Sequence, residues 1–216
     1  MKILAIDIET TGIHPSRDQI LQLGAVYYDS SKSMHVDKMP AFKMYVDNVY
    51  IKGDTYAINM NQHIFKYILE NNEKRTKQPT KFALNDEEFQ EGIICNISDL
   101  FSFFHYFLLR NKIAGNNITL AGKNIDRFDI PFLEHHIRFS SLDFNKRTFD
   151  PGVLFLDIKK DKVIPNLSEC KRRAGLEDTV SHDALDDAKD IIRLIKKYYS
   201  KKYENRKITI HGKIQT

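Results

Sequence analysis

Residues 2–12 read Lys2-Ile3-Leu4-Ala5-Ile6-Asp7-Ile8-Glu9-Thr10-Thr11-Gly12, an apolar run that ends in two carboxylates two positions apart and then a turn. The run predicts a buried strand. Successive strand side chains point to opposite faces, so Asp7 and Glu9 project to the same side. Two acids on one face of a core strand repel each other and lose hydration, which is costly unless positive charge sits between them. A divalent cation is the usual remedy, so the rest of the chain can be searched for further ligands.

Outward from this strand, His14-Pro15-Ser16-Arg17-Asp18 is turn material and residues 20–28 read as a second strand. A third strand over Ala41 to Val46 completes an antiparallel meander, because short connections favour pairing of neighbours. Ile64, Ile68 and Leu69, with Phe65 and Tyr67 nearby, fit a helix preceded by Asn59-Met60-Asn61. Residues 71–92 are polar and read as a surface excursion. A helix is expected at about 98–110, with Ser98 as N-cap and Leu100, Phe101, Phe104, Phe107 and Leu108 at helical spacing. A short strand over 118–122 leads through Asn124 and Asp129 into a helix containing Phe132, Leu133, His136 and Ile137. Arg147 to Leu156 contains another short extended segment. Pro165-Asn166 opens a helix that Gly175 ends. A long helix runs from about Asp183 to Tyr203, and the tail 206–216 looks strand-like or frayed. The order gives a mixed sheet of three antiparallel strands plus parallel ones, flanked by helices. It fits a ribonuclease-H-like α/β fold, although other α/β arrangements share that order.

The bulk numbers set outer limits. The chain of 216 residues reads as one domain over 1–205, with a variable excursion near 71–96 and a C-terminal tail over 206–216. Hydrophobic content of 42% and charged content of 29% are ordinary for a soluble protein. No apolar stretch approaches the ~20 residues needed to span a bilayer, and the N-terminus is not patterned as a signal peptide. No membrane association is expected. Cys95 and Cys170 could form only a single bridge, and a reducing cytoplasm is the simpler expectation. A net charge of +4 permits binding of a polyanion without requiring it.

Three further residues bear on the acidic pair. Asp187, Ile191, Leu194, Ile195 and Tyr198 share one face of the last helix, so Asp187 lies on or beside its buried stripe, while Asp183, Lys189, Arg193 and Lys197 can reach water. Helix geometry leaves a metal ligand and a local cap as equal alternatives for Asp187. Asp129 follows a strand end, where α/β folds often place function, but an acid at a helix start is also favoured by the helix dipole. Asp126 competes for that role. His182, five residues before Asp187, has the surface as its ordinary place.

Together these residues resemble the DEDDh 3′–5′ exonucleases, the family of proofreading exonucleases, RNase T and oligoribonuclease. Asp7-Ile8-Glu9-Thr10-Thr11-Gly12 is similar to the first motif, Asn124 through Asp129 to the second, and His182-Asp183-Ala184-Leu185-Asp186-Asp187-Ala188 to the third. The match covers nearly the whole chain, and segments such as Tyr56-Ala57-Ile58-Asn59-Met60-Asn61 look most like small stand-alone bacterial and phage exonucleases. Nothing carries over for residues 76–96.

The resemblance implies that Asp7, Glu9, Asp129 and Asp187 hold two Mg²⁺ or Mn²⁺ ions and that His182 is the general base. It implies that Thr10, Thr11, Gly12, Met60 and Asn124 contact the substrate, a single-stranded DNA or RNA with a free 3′ end. Phe128 could flank a base, though the core is its more ordinary place. Asp150 matches an acidic position that orients neighbours. Relatives that dimerise, and others that serve polymerases, leave a homodimer or a replication partner open. Two functions follow: a metal-dependent 3′–5′ exonuclease releasing nucleoside 5′-monophosphates, or a non-catalytic nucleic-acid-binding or polymerase-accessory module. A complete, mutually repelling carboxylate set favours the first. The pair His135-His136 points to opposite sides of its helix and makes no site.

Overall fold

In a computed structural model of the protein the opening run forms β1 (Lys2–Thr10), and β2 (Ile20–Asp29) folds back on it antiparallel. The structure describes residues 1–75, 84–177 and 181–211, with residues 72 and 201–211 as backbone only. Strand β3 (Ala41–Val46) pairs antiparallel with β2 and completes the meander, as the short connection predicts. Two parallel pairings extend the sheet on either side. Strand β4 (Ile93–Cys95) joins β3 and β5 (Ile118–Ala121) joins β1, giving the order β4-β3-β2-β1-β5. This mixed five-stranded sheet flanked by helices is the ribonuclease-H-like arrangement expected from the sequence.

The two faces of the sheet follow directly from the strand period of two. Leu4, Ile6 and Ile8 of β1, with Phe42 and Met44 of β3, face a core closed by α4 (Ile97–Arg110) and α5 (Asp129–Ile137). The phenylalanines of α4 dominate that core, with Phe104 and Phe107 lying 5.3 and 5.4 Å from the Phe42 ring. Ile3 and Ala5 face the other way, with Val26 and Ala41, onto the stripe Leu185, Ala188, Ile191, Ile192 and Ile195 of the last helix. Asp7 and Glu9 continue this second set. They emerge where apolar packing gives way to the first turn of that helix.

Several local expectations are corrected. The expected helix is α2 (Gln62–Glu70), preceded by Asn59-Met60-Asn61; Asn59 and Met60 also close a further short helix, α1 (Thr55–Met60), that was not expected. The 71–92 segment is not wholly superficial: α3 (Asp86–Glu91) buries Phe89 completely against Phe42, and β4 follows it. One buried aromatic in a polar stretch is enough to anchor a short helix but gives no period to read. Residues 76–83 of that excursion lie outside the described residues. Helix α4 starts one residue before Ser98, because the chain turns straight out of β4 with Asn96 as its cap. The extended segment expected within 147–156 is a single bridge of Phe149 to Ala121, followed by a 3-10 turn over Pro151–Leu154.

Helix α6 (Leu167–Ala174) has Asn166 as N-cap and left-handed Gly175 at its C-terminus. The final helix, α7, runs Ala184–His211, so residues 206–211 continue it and are not strand-like. Extending a helix adds one hydrogen bond per residue fixed, which costs far less than starting a new element. Residues 212–216 lie outside the described residues. Cys95 and Cys170 are both free and buried. Among the described residues no helix is long and apolar enough to cross a membrane.

Candidate metal centre and cleft

Three chain segments converge at the end of β1. Asp7 and Glu9 project from its α7 side, and the first turn of α7 lands on the same spot and delivers Asp187. Among the described residues, ligand-capable oxygens of Asp7, Glu9 and Asp187 all lie within 4.8 Å of one another. Asp129 arrives from the start of α5, where its Oδ1 accepts a hydrogen bond of 3.1 Å from the Ile8 amide between the two β1 acids. It is buried, as are Glu9 and Asp187. Asp187 thus stands in the acidic group, facing Asp7 and Glu9 from the first turn of α7. Asp129 both starts a helix and stands in the acidic group.

The electrostatics are those of an unneutralised site. Burial pushes the Asp7 carboxyl well above its ordinary range, and every charged neighbour acting on it is another acid: Asp129, Glu9, Asp187 and Asp183. Burial raises Glu9 to about 8, and Asp187 adds to the shift. Asp129 is pushed up to about 8 by burial, against hydrogen bonds that favour its charged form. Asp187 is raised to about 6 by burial, with Asp190 next in effect. Like charges gathered in a poorly hydrated place cannot all ionise without a counter-charge. Carboxylate oxygens are the donors that Mg²⁺ and Mn²⁺ prefer, so this set fits such ions in chemistry and in charge.

A cleft of about 610 Å³ opens beside Glu9. Its walls include Thr10, Gly12, Tyr56, Met60, Asn61 and Phe128. The α1 wall is stitched to the end of β1: Asp54 donates its amide to the Thr11 carbonyl at 2.6 Å, and Asn61 Nδ2 donates to the Thr10 carbonyl at 3.1 Å. Asp54 in turn caps α1 by accepting from the Tyr56 amide at 2.9 Å. Phe128 packs on the core, its ring 5.2 Å from that of Phe132, and also lines the cleft.

The structure distributes the other expected substrate contacts unevenly. Thr10, Gly12 and Met60 line the cleft. The Thr11 side chain is fully buried and serves as a brace, donating to the Lys52 carbonyl at 2.6 Å and accepting from the Gln19 amide at 2.8 Å. Asn124 stands apart from the cleft lining, in a left-handed conformation with φ of 57°. Its amide donates to Asp150 Oδ2 at 3.0 Å, and the same carboxylate pairs with Lys123 at 2.9 Å. Asp150 therefore orients its neighbours and is not in the cluster.

His182 is half-buried in the loop entering α7, with φ of 51°. Asp183 does not reach freely into water as expected. Its side chain is 15% exposed and is held by Lys43 and Gln22. The rings of His135 and His136 meet edge to face at 4.9 Å, closer than opposite sides of a helix implied. His136 Nε2 rests on the Asp18 carbonyl at 3.1 Å, and neither ring joins the acidic trio.

Asn61, Gln22 and Lys43 are the site residues that the sequence did not bring forward. All three are polar residues placed by strand register or by a helix end, and no local motif marks them. The segment around Asn61 carried the only available signal, its likeness to the small exonucleases.

No family model and no curated protein matches the sequence. Solved structures do match in fold. E. coli exonuclease I in its zinc-bound complex with single-stranded DNA superposes with a TM-score of 0.58 at 16% identity, over 93% of this chain and 40% of that one. The same enzyme with a dT13 oligonucleotide gives 0.57 at 15% identity, over 97% and 43%. Cell-death related nuclease 4 (CRN-4) gives 0.58 at 13% identity, over 92% and 64%. The chain thus spans about two-fifths of exonuclease I and under two-thirds of CRN-4. The resemblance read from the motifs holds at the level of the fold.

Proposed function

We propose that the protein is a two-metal-ion 3′–5′ exonuclease that hydrolyses phosphodiester bonds at the 3′ end of single-stranded nucleic acid, DNA or RNA, and releases nucleoside 5′-monophosphates. The observation that carries this is the convergence of Asp7, Glu9 and Asp187, with Asp129 tied to the strand between the first two, in a group whose carboxyls are all pushed upward by burial. The complexes of exonuclease I with DNA oligonucleotides, on the same fold, support the substrate class.

Asp7, Glu9, Asp129 and Asp187 would hold two divalent ions, Mg²⁺ or Mn²⁺, which when bound supply charge neutralisation and Lewis acidity for an in-line displacement at phosphorus. The chain's own groups do the rest. The terminal nucleotide enters the cleft beside Glu9, with Thr10 and Gly12 at its sugar and Met60 and Phe128 against its base. The exposed Tyr56 ring at the rim offers a stacking surface for a base. His182 takes a proton from the attacking water, a task suited to an imidazole near neutral pH. The leaving group is the 3′ oxygen of the penultimate nucleotide, which becomes the new 3′ end.

Oligonucleotides labelled at either end, incubated with Mg²⁺, test this. Stepwise shortening from the 3′ end is expected for wild type and its loss for Asp7→Asn. An intact oligonucleotide with wild type, or equal rates for the two proteins, would reject it.

A further inference from the structure

We propose that Gln22 and Lys43 are positioning residues that hold the His182 loop in register with Asp7 and Glu9; this rests on His182 being the proton acceptor. Gln22 lies directly opposite Glu9 in the β1–β2 ladder. Lys43 lies opposite Gly24, which itself pairs with Asp7. Both side chains therefore rise from the face that carries the acidic pair, one strand and two strands away.

Both converge on Asp183, the residue after His182. Gln22 is fully buried, and its amide grips the loop at two points. Nε2 donates to Asp183 Oδ2 at 3.1 Å, and Oε1 accepts from the Ala184 amide at 2.6 Å. Lys43 Nζ meets the same Oδ2 at 2.5 Å. The other oxygen of Asp183 accepts from the Leu185 and Asp186 amides at 3.1 and 3.2 Å and so caps α7. Oδ1 alone would suffice as a cap. The buried amide and the ammonium on Oδ2 add nothing to capping; they fix where the start of the helix sits on the sheet.

His182 has reason to need such a hold. Its φ of 51° is uncommon outside glycine, is strained, and persists only when the surroundings over-determine it. The clamp fixes the chain immediately after that residue. A small displacement of a proton acceptor lowers turnover without weakening substrate binding, which separates this role from a contact to substrate.

The test compares Lys43→Met and Gln22→Met with Lys43→Arg. Hydrogen exchange in peptides covering 181–187 reads the clamp without any activity. Exchange there is expected to rise about tenfold or more in both Met variants, with the sheet unchanged. On a 3′-labelled oligonucleotide kcat should fall about 10- to 100-fold with KM nearly constant, and Lys43→Arg should recover much of it. Adding Lys43→Met to His182→Ala should then cost almost nothing more, because the group being positioned is gone.

Unchanged exchange in both Met variants overturns the clamp. A kcat loss that adds in full on top of His182→Ala overturns the positioning role. Wild type that leaves the oligonucleotide intact rejects the nuclease function and the catalytic purpose of the clamp with it, while exchange still reports whether the loop is held. If Gln22→Met does not fold, Lys43→Met carries the comparison, since the Lys43 side chain keeps 16% exposure.

Discussion

Gly24 and Ala184 are in direct backbone contact: a β-carbon on Gly24 would lie 2.2 Å from the Ala184 carbonyl carbon and 2.3 Å from the Leu185 nitrogen. Gly24 stands opposite Asp7 on β1, so this close approach seats the first turn of α7 over the acidic pair. Gly24→Ala must therefore lift the helix. Overpacking of this kind costs about 1–3 kcal/mol, and here it also draws Asp187 away from Asp7 and Glu9. A lowered melting temperature together with loss of Mn²⁺-induced stabilisation is expected. A variant that melts lower but responds to Mn²⁺ like wild type would show that the approach serves packing alone.

The carboxylate cluster predicts strong linkage between metal and stability. An ion that binds only the folded protein stabilises it by about 2.7 kcal/mol at a hundred times its dissociation constant. For a domain of this size that is a rise of roughly 5–10 °C. Thermal melts with and without Mn²⁺ should show such a shift in wild type and little of it in Asp187→Asn. Without metal, Asp187→Asn should be no less stable than wild type, because it removes a like charge from the group.

The same cluster fixes a sign for the pH dependence of the metal-free protein. Glu9 and Asp129 at about 8 and Asp187 at about 6 all lie above their unfolded values. Groups raised on folding contribute stability that is complete below the unfolded pKa and is lost as pH climbs through the folded one. Metal-free protein in chelator should therefore melt progressively lower between about pH 5 and pH 8. Asp18 pulls the other way, since its contact with Arg17 depresses its pKa, but that contribution is lost only on acidification. Saturating Mn²⁺ should flatten or reverse the decline above pH 6. A metal-free melting temperature that rises over this range would contradict the electrostatic description.

What the sequence disclosed, and what it withheld, divides along the reach of the signals. The apolar run over residues 2–10, the short connection before residues 41–46, Pro165-Asn166 and Gly175 are local signals, and the elements formed there as expected. Asp7 and Glu9 share a face because the strand period requires it. Helix α3 and β4 were not legible, because their stability comes from Phe89 against Phe42 and from pairing with β3. The partners of Asp183 were hidden for a related reason. Gln22 and Lys43 come 161 and 140 residues earlier in the chain, and only the sheet register brings them beneath α7. Thr11 was expected at the substrate with Thr10, yet its hydroxyl is taken up by the Lys52 carbonyl and the Gln19 amide in the junction before α1, partners far enough away in sequence to leave no local mark.

Asn61 supplies a prediction of a different kind, because it bears on one carboxylate only. It is 1% exposed, with Nδ2 on the Thr10 carbonyl, and its amide, next to Glu9, favours the charged carboxylate. Its Oδ1 has no hydrogen-bond partner among the described residues, which offsets part of what the side chain contributes to stability. Asn61→Ala should thus cost only about 1 kcal/mol in the metal-free protein. The effect on metal should be larger. Without the amide the Glu9 pKa rises further, so less of it is ionised at pH 7 and Mn²⁺ binds several-fold more weakly. At pH 9 Glu9 is ionised in both proteins, and the difference should shrink. Calorimetric titration with Mn²⁺ at the two pH values measures this directly. A deficit of equal size at both would mean that Asn61 acts by shaping the cleft wall and not through the charge on Glu9.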